Sequence, residues 1–385
     1  TNGKTSIVYF IKQLFTLLKR HTASIGTLGY GSGNKYVETN NTTPGPCQLQ
    51  QILCEFAAEN FSAVAMEVSS HALEQGRLLP EDIDIAIFSN LTRDHLDYHG
   101  TMEAYAASKA KLFVQNDNQV WIMNVDEAQS VEWLESWQSQ NPVVAISCAQ
   151  GATVPEFASH FLFAKNIKCH SAGLSFDIDS SWGCGEIHLP LIGEFNISNV
   201  LSAVATALVQ EHELSNILSV LPQLNSVPGR MELFSKENMP TAVVDYAHTP
   251  DALEKAVISC KQHIAGNVWV LFGCGGDRDT GKRSLMGSVA DTYADKLILT
   301  NDNPRTEDQQ KIINDIKEGI KSQKPTYEIL NREEAVKFAL NHAEANDIVL
   351  LAGKGHEDYV IIGDRKINYN ERAVVRNYYL DEVSV

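Results

Sequence analysis

Gly3-Lys4-Thr5-Ser6, preceded by Thr1-Asn2, has the residue types of the back half of a phosphate-binding loop, G-x-x-x-x-G-K-[ST]. In such a loop the backbone amides and the lysine meet nucleotide phosphates, and the threonine hydroxyl ligates magnesium. The first glycine of the pattern and the strand before it are not in the sequence, so the chain is expected to be a fragment that begins inside the motif. In Met66-Glu67-Val68-Ser69-Ser70-His71, an acid closes an apolar run. A carboxylate at that place in a phosphate-loop domain suits a magnesium ligand. The stretch Asn90 to His99 packs charged residues and two histidines together, which makes His95 a candidate ligand for a second metal ion. Arg278 and Arg305 each follow an apolar run, and an arginine fork suits a carboxylate or phosphate. With Glu357 they form a set able to hold a zwitterion, the guanidiniums on carboxylates and the glutamate on an ammonium. Each arginine alone would equally suit a surface salt bridge.

These residues need a scaffold, and hydrophobic periodicity supplies one. Ile7, Phe10, Ile11, Leu14, Phe15 and Leu18 recur at helical spacing directly after the loop. Strands are expected at 62–68, 83–90, 119–125 and 143–147, with helical composition at 47–59 and 102–113 between them. This is α/β alternation around a mainly parallel sheet. Residues 150–195 carry short segments among Gly, Ser and Asp and are expected to form a small antiparallel excursion, before a helix over 196–209 rejoins the first core. The breaker-rich string Leu221 to Arg230 sets a boundary between residues 1–227 and 228–385. Beyond it, strands are expected at 241–246, 267–272, 295–300 and 347–352. Each is followed by a polar string: Asp245 to Pro250, Gly273 to Asp279, Asn301 to Arg305 and Gly353 to Glu357. Ligands of open α/β sheets sit outside the carboxyl ends of the strands, so these strings should share one site. The fold class is therefore α/β, a P-loop ATPase-type domain followed by a Rossmann-like α/β domain.

Composition narrows the function classes. At 385 residues the chain has room for two or three domains, and 44% hydrophobic with 21% charged residues is the balance of a packed globular protein. A net charge of -17 with no compensating basic patch argues against nucleic acid and anionic membranes as partners. Seven cysteines without Cys-x-x-Cys or zinc-like spacing fit free thiols in a reducing cytoplasm. No apolar run reaches the roughly 18 residues that cross a bilayer. A cytoplasmic monomer is the expectation.

Taken in order, several motifs resemble the Mur ligase family along the whole chain. They are Thr1 to Thr5, Asn41-Thr42-Thr43-Pro44, Glu67 to His71, Thr92 to Gly100 (with Arg93 and Asp94), and Gly193-Glu194-Phe195-Asn196. Asp245 to Pro250, Gly275 to Asp279, Asp302-Asn303-Pro304-Arg305 and Gly353 to Glu357 continue the series. The resemblance implies an ADP-forming ligase of peptidoglycan precursor synthesis, serving cell wall biogenesis, cell shape and cell division. It would join meso-diaminopimelate to UDP-N-acetylmuramoyl-L-alanyl-D-glutamate through an acyl phosphate. ATP would contact Asn2, Gly3, Lys4, Thr5, Ser6, Asn196, Asn199, Arg230 and Asp245. Thr5, Glu67, His95 and Lys109 would hold Mg2+, with Lys109 carbamylated so that a cation becomes a carboxylate-like ligand. Residue chemistry alone leaves Lys109 on a solvated helix face. Lys4, His95 and Lys109 would be catalytic, and Asn41, Thr42, Thr43, Ser69 and Arg77 would contact the muramyl peptide. Arg278, Asp302, Asn303, Arg305, Gly353 and Glu357 would bind diaminopimelate. Gly45 and Ser284 depart from residues common in the family. The alternatives are a lysine-adding ligase, a folylpolyglutamate synthase-like ligase, or, from another class, a nucleotide-gated ATPase that makes no bond.

Overall fold

A strictly left-handed residue opens the first helix. Gly3 sits at φ 85°, a conformation that costs a residue with a Cβ, and hands the chain into α1 (Lys4–Leu17). The computed structural model describes residues 2–33, 35–92, 94–113 and 119–381. Thr1 and Arg93 of the motifs above lie outside the described residues, as does the side chain of Asp97. The chain divides into two units, one of Thr1–Ile167, Ser175–Leu189 and Phe195–Leu224, the other of Lys168–Leu174, Pro190–Glu194 and Asn225–Val385. The main division thus falls in the breaker-rich string around Leu221 to Arg230.

In the first unit α1 is followed by β1 (Thr22–Gly26), β2 (Gly29–Ser32), β3 (Lys35–Val37), α2 (Pro46–Ala58), β4 (Ala63–Met66) and α3 (Ser70–Glu74). Then come β5 (Ile85–Phe88), α4 (Leu96–His99), α5 (Met102–Ala110), β6 (Val120–Asn124), α6 (Ala128–Trp137) and β7 (Val143–Ser147). The unit ends with β8 (His160–His170), β9 (Gly173–Ser180), β10 (Gly183–Leu189), α7 (Phe195–Val209) and α8 (Leu214–Val220). One sheet has the order β3-β2-β1-β4 and the other β10-β9-β8-β7-β6-β5. β1 pairs with β4, and β5 to β8 pair in sequence, all in parallel. The buried face of α1 is the predicted one, Ile7, Phe10, Ile11, Leu14 and Phe15. Burying each such side chain contributes about 1.5–3 kcal/mol.

Two expectations change here. The 150–195 segment does not stand apart, because β8 pairs in parallel with β7 and extends the sheet. Two-residue links then leave only antiparallel pairing for β9 and β10. Strands β1 to β3 were not expected at all, since they are short and Gly29 and Gly31 dilute their pattern.

The second unit runs β11 (Glu232–Phe234), β12 (Thr241–Asp245), α9 (Pro250–Lys261), β13 (Val268–Phe272), α10 (Gly281–Tyr293), β14 (Lys296–Leu299), α11 (Gln309–Lys317) and β15 (Thr326–Glu328). It closes with α12 (Arg332–His342), β16 (Ile348–Ala352), the hairpin β17 (Tyr359–Ile362) and β18 (Arg365–Asn368), and α13 (Glu371–Asp381). The sheet order is β11-β12-β16-β13-β14-β15, with β12 to β15 all parallel and only β11 antiparallel. β12, β13 and β16 are almost wholly apolar, as strands covered on both faces must be. Capping side chains start the helices: Thr249 on α9, Asp308 on α11 and Asn331 on α12. Among the described residues no helix is long and apolar enough to cross a membrane.

Arg332, at the start of α12, is buried against Glu371 of α13, with Nη2 donating to Oε1 at 3.0 Å and to the Ala352 carbonyl at 2.8 Å. Arg332→Leu would leave a wholly buried carboxylate without its cation. The expected loss is about 3–5 kcal/mol, read as a lower denaturation midpoint in urea.

Candidate active site

Glu67 follows β4 and is almost completely buried, so its charge must be met by donors. Thr5 Oγ1 donates to Oε2 at 2.8 Å, the Thr27 amide to Oε1 at 2.8 Å, and Thr27 Oγ1 to Oε2 at 3.2 Å. Glu67 thereby ties the phosphate-loop threonine to the end of β1. The loop is held from its other side by the residues just after β5, where the Asn2 amide donates to Asn90 Oδ1 at 2.8 Å and Ser89 Oγ donates to the Asn2 carbonyl at 2.9 Å. Behind it, a Cβ on Gly3 would lie 2.4 Å from Asn199 Oδ1, and Asn199 Nδ2 donates to Asn196 Oδ1 at 3.1 Å. Asn196 and Asn199, both on α7, are therefore placed beside the loop glycine.

Four of the residues expected to contact the peptide, Thr42, Thr43, Ser69 and Arg77, are linked to Glu67 through its backbone carbonyl or through its partner Thr27. Thr43 Oγ1 donates to the Glu67 carbonyl at 2.7 Å and accepts from the Ser69 amide at 3.1 Å. Arg77 Nη1 donates to the Thr43 carbonyl at 2.8 Å, and the Thr42 and Thr27 hydroxyls are 3.2 Å apart. Asn41 enters through its carbonyl, which accepts from Thr39 Oγ1 at 2.9 Å.

Lys109 is not on the solvated face that helical composition alone suggested. Burial, helped by the nearby charge of Lys4, pushes its pKa from 10.5 down to about 8. Lys4 is lowered too, chiefly by burial, while Glu67 and Asp94 oppose the shift. Tyr105 joins this part of the site, with Lys109 Nζ 4.8 Å from its ring centroid and the His95 ring 5.9 Å away. His95 is exposed, left-handed at φ 53°, and 5.1 Å from the His71 ring. A cavity of about 480 Å³ opens beneath the loop. Lys4, Glu67, Asn90 and Lys109 are among its polar lining residues, and apolar side chains of α1, β4 and β5 contribute much of the remainder.

No three His, Cys, Asp or Glu side chains converge as a ready-made metal centre among the described residues. The donors present are the Thr5 hydroxyl and the Glu67 carboxylate, hard oxygens that fit a magnesium ion whose remaining ligands are phosphate and water.

In the second unit the four polar strings do meet at the carboxyl ends of β12, β13, β14 and β16. Lys354 is fully buried and donates to Asn303 Oδ1 at 2.8 Å and the Tyr359 carbonyl at 2.9 Å, with Asp302 at 3.0 Å and Glu357 at 3.2 Å. Asn303 Nδ2 donates to Glu357 Oε2 at 3.0 Å. A Cβ on Gly353 would lie 2.9 Å from Asp302 Oδ2. Arg305 Nη1 donates to the Gly276 carbonyl at 2.8 Å, and Arg278 is exposed on the neighbouring loop. Elsewhere in this unit the Arg230 guanidinium lies over the Tyr246 ring at 4.6 Å. Asp245 accepts from the Met231 and Ala247 amides at 2.8 and 2.9 Å, and burial raises its pKa. Sequence inspection missed Thr27, Asn90, Tyr105 and Lys354. Lys354 stands inside a quoted motif, and Asn90 closes a predicted strand, but an isolated lysine or amide carries no spacing signal.

A unit that opens on a phosphate-loop sequence, followed by a parallel-sheet unit whose polar loops meet at the strand ends, defines a class, and the family comparisons name it. Residues 1–207 match the Mur ligase middle domain and residues 229–355 the Mur ligase glutamate ligase domain. The chain belongs to the Mur ligase family. It is 45% identical over 376 residues to the UDP-N-acetylmuramoyl-L-alanyl-D-glutamate–2,6-diaminopimelate ligase of Vibrio cholerae, covering 98% of this chain and 74% of the relative. The ligase of the same name from Haemophilus influenzae is 43% identical over 378 residues, 98% of this chain and 76% of its own length. A solved structure of a ligase with that name superposes with a TM-score of 0.79 at 39% identity, covering all of this chain and 78% of the other. A folylpolyglutamate synthase of Mycobacterium tuberculosis, at 17% identity and TM-score 0.63 over 92% of this chain and 86% of its own, shares the fold.

The lowered Lys109 value gives a direct test. In buffer stripped of carbon dioxide, which leaves Lys109 a free amine, lysines reductively methylated with 13C should include one NMR signal titrating with a midpoint near 8, and Lys109→Ala should remove it. Between pH 8 and 10.5 the folded state binds fewer protons than the unfolded chain at this site, so the Lys109 contribution makes stability rise with pH across that window.

Proposed function

We propose that this chain performs the ATP-dependent addition of meso-diaminopimelate to UDP-N-acetylmuramoyl-L-alanyl-D-glutamate, in the cytoplasmic synthesis of peptidoglycan precursor. The observation that carries the assignment is the 45% identity sustained across 98% of the chain to a ligase of that specificity. The geometry supplies the chemistry. Gly3 amides and Lys4 receive the ATP phosphates at the amino end of α1, where the helix dipole also favours anions. Magnesium held by Thr5, Glu67, His95 and a carbamylated Lys109 would offset phosphate charge. An amine with a pKa near 8 has a substantial neutral fraction at physiological pH, the form that adds to carbon dioxide. Asn196 and Asn199 would position the nucleotide beside the loop, and Arg230 and Asp245 are assigned to it by resemblance alone. Thr42, Thr43, Ser69 and Arg77 would set the muramyl peptide beside Glu67.

The glutamate side-chain carboxylate attacks the terminal phosphorus of ATP, giving an acyl phosphate and ADP. The amine of diaminopimelate then attacks the acyl carbon, and collapse of the tetrahedral intermediate forms the amide and expels phosphate. Arg305 and Arg278 hold carboxylates of the incoming amino acid, and Glu357, fixed by Asn303 and Lys354, accepts its ammonium. Lysine lacks the second carboxylate that an arginine selects. Likeness to ligases over both domains gives no support to an ATPase that makes no bond.

Arg305→Ala should raise the KM for diaminopimelate by about tenfold or more, with a smaller change for ATP, because a charged partner is lost. Efficient use of lysine by the unmodified enzyme would contradict both the substrate and the role of Arg305. Lys109→Ala should abolish ligation, with partial recovery when a short carboxylate is added to the assay, and an unimpaired variant would refute the carbamate.

A further inference from the structure

Resting on the diaminopimelate assignment, we propose that Arg283 is a positioning residue for amino-acid selection, fixing the loop of Arg278 against the loop of Arg305 through a clasp made with Glu307, Asp277 and Thr306. Arg283, on α10, has a wholly buried side chain and lies behind both loops. Its Nη1 and Nη2 donate to the two oxygens of Glu307 at 3.0 and 2.8 Å, the bidentate geometry that fixes a guanidinium plane. Nη1 also donates to Asp315 Oδ2 at 2.8 Å, and Nη2 to the Gly275 carbonyl at 3.2 Å. Nε finds no partner among the described residues, so these acceptors alone orient the group.

Glu307 passes that orientation on. Its Oε1 accepts the Asp277 amide at 2.5 Å, and the Asp277 carboxylate in return accepts the Thr306 amide at 3.1 Å and its hydroxyl at 2.9 Å. The clasp is reciprocal, and its members adjoin both arginines in sequence. A second observation shows how closely it draws the loops. A Cβ on Gly276 would come within 1.9 Å of the Pro304 carbonyl oxygen and 3.2 Å of Glu307 Cβ, so the two backbones touch where no side chain fits. Asp277 and Arg305 both hold left-handed backbone, φ 53° and 51°, a conformation that side chains resist and that the clasp secures. The Arg283 hydrogen bonds also hold the Glu307 carboxyl down to about 2, so the clasp stays charged across the working pH range. A diamino acid with a carboxylate at each end needs two guanidiniums at a set separation, and this clasp supplies it without touching the substrate.

The test compares steady-state ligation by the unmodified enzyme, Arg283→Lys and Thr306→Val. Lysine keeps the buried charge but loses the fork, and valine removes one clasp hydroxyl without burying anything unpaired. In Arg283→Lys the KM for diaminopimelate should rise about tenfold, with the KM for ATP and kcat within about threefold, and discrimination against lysine should weaken. Thr306→Val should shift the same ratio in the same direction by less. Folded variants with an unchanged KM for diaminopimelate, or with both KM values raised together, would overturn the clasp as a selectivity device. If the unmodified enzyme prefers a different amino acid, the substrate assignment fails separately. The clasp then stands or falls on whether the variants move the KM for that amino acid alone.

Discussion

Glu67 places a carboxylate in a nearly dry position, and the first unit is arranged around satisfying it. The carboxylate takes donors from the start of α1 and from the turn after β1, while its backbone carbonyl takes the Thr43 hydroxyl. Three segments distant in sequence are thereby brought to one spot. Uncompensated, a carboxylate there would cost several kcal/mol, so the donors are held as firmly as the charge they serve. The same requirement explains why the proposed phosphate and peptide contacts are neighbours. Each includes a threonine that hydrogen-bonds Glu67, Thr5 on the phosphate side and Thr43 on the peptide side.

The second unit solves a comparable problem with the signs exchanged. Lys354 and Arg283 are buried, and each is surrounded by carboxylates and carbonyls from different strand-end loops, joined for Arg283 by Asp315 of α11. A buried cation with several anionic neighbours works as a knot, because moving any one loop exposes an unbalanced charge. Parallel strands set the loops side by side, and the knots fix the loops to within hydrogen-bond tolerance. Rigid strands alone would not suffice, since loops tolerate displacement at little cost.

Much of this was legible in the sequence because periodicity and strand ends are strong signals. The helix after Gly3-Lys4-Thr5 and the four strands expected in the second unit lie within a residue or two of their expected places, while β11, β15, β17 and β18 were not expected. Glu67 and Thr5 were nominated independently and prove to share a hydrogen bond. What stayed hidden depends on pairing between remote segments. Strands β2 and β3 have too few residues and too much glycine to announce themselves, and nothing near Thr27 in sequence reveals that it meets Glu67. Lys109 shows the limit from the other side, since a lysine in an alanine-rich helix looks solvated until the fold half-buries it near the charge of Lys4. Resemblance to the family named Lys109, and the structure supplies the physical cause of its altered basicity.

Gly26, the last residue of β1, gives the Glu67 arrangement an unusual genetic signature. It has no polar group that any chemistry requires, yet a single added methyl would sit 2.2 Å from Glu67 Oε1 and 2.8 Å from its Cγ. Backbone shape at this point is as much a part of the site as the carboxylate itself. In a population of random variants, replacement by alanine, the mildest exchange available, should be purged here as severely as loss of the acid. A position silent to every search for reactive side chains would then rank among the least tolerant in the chain.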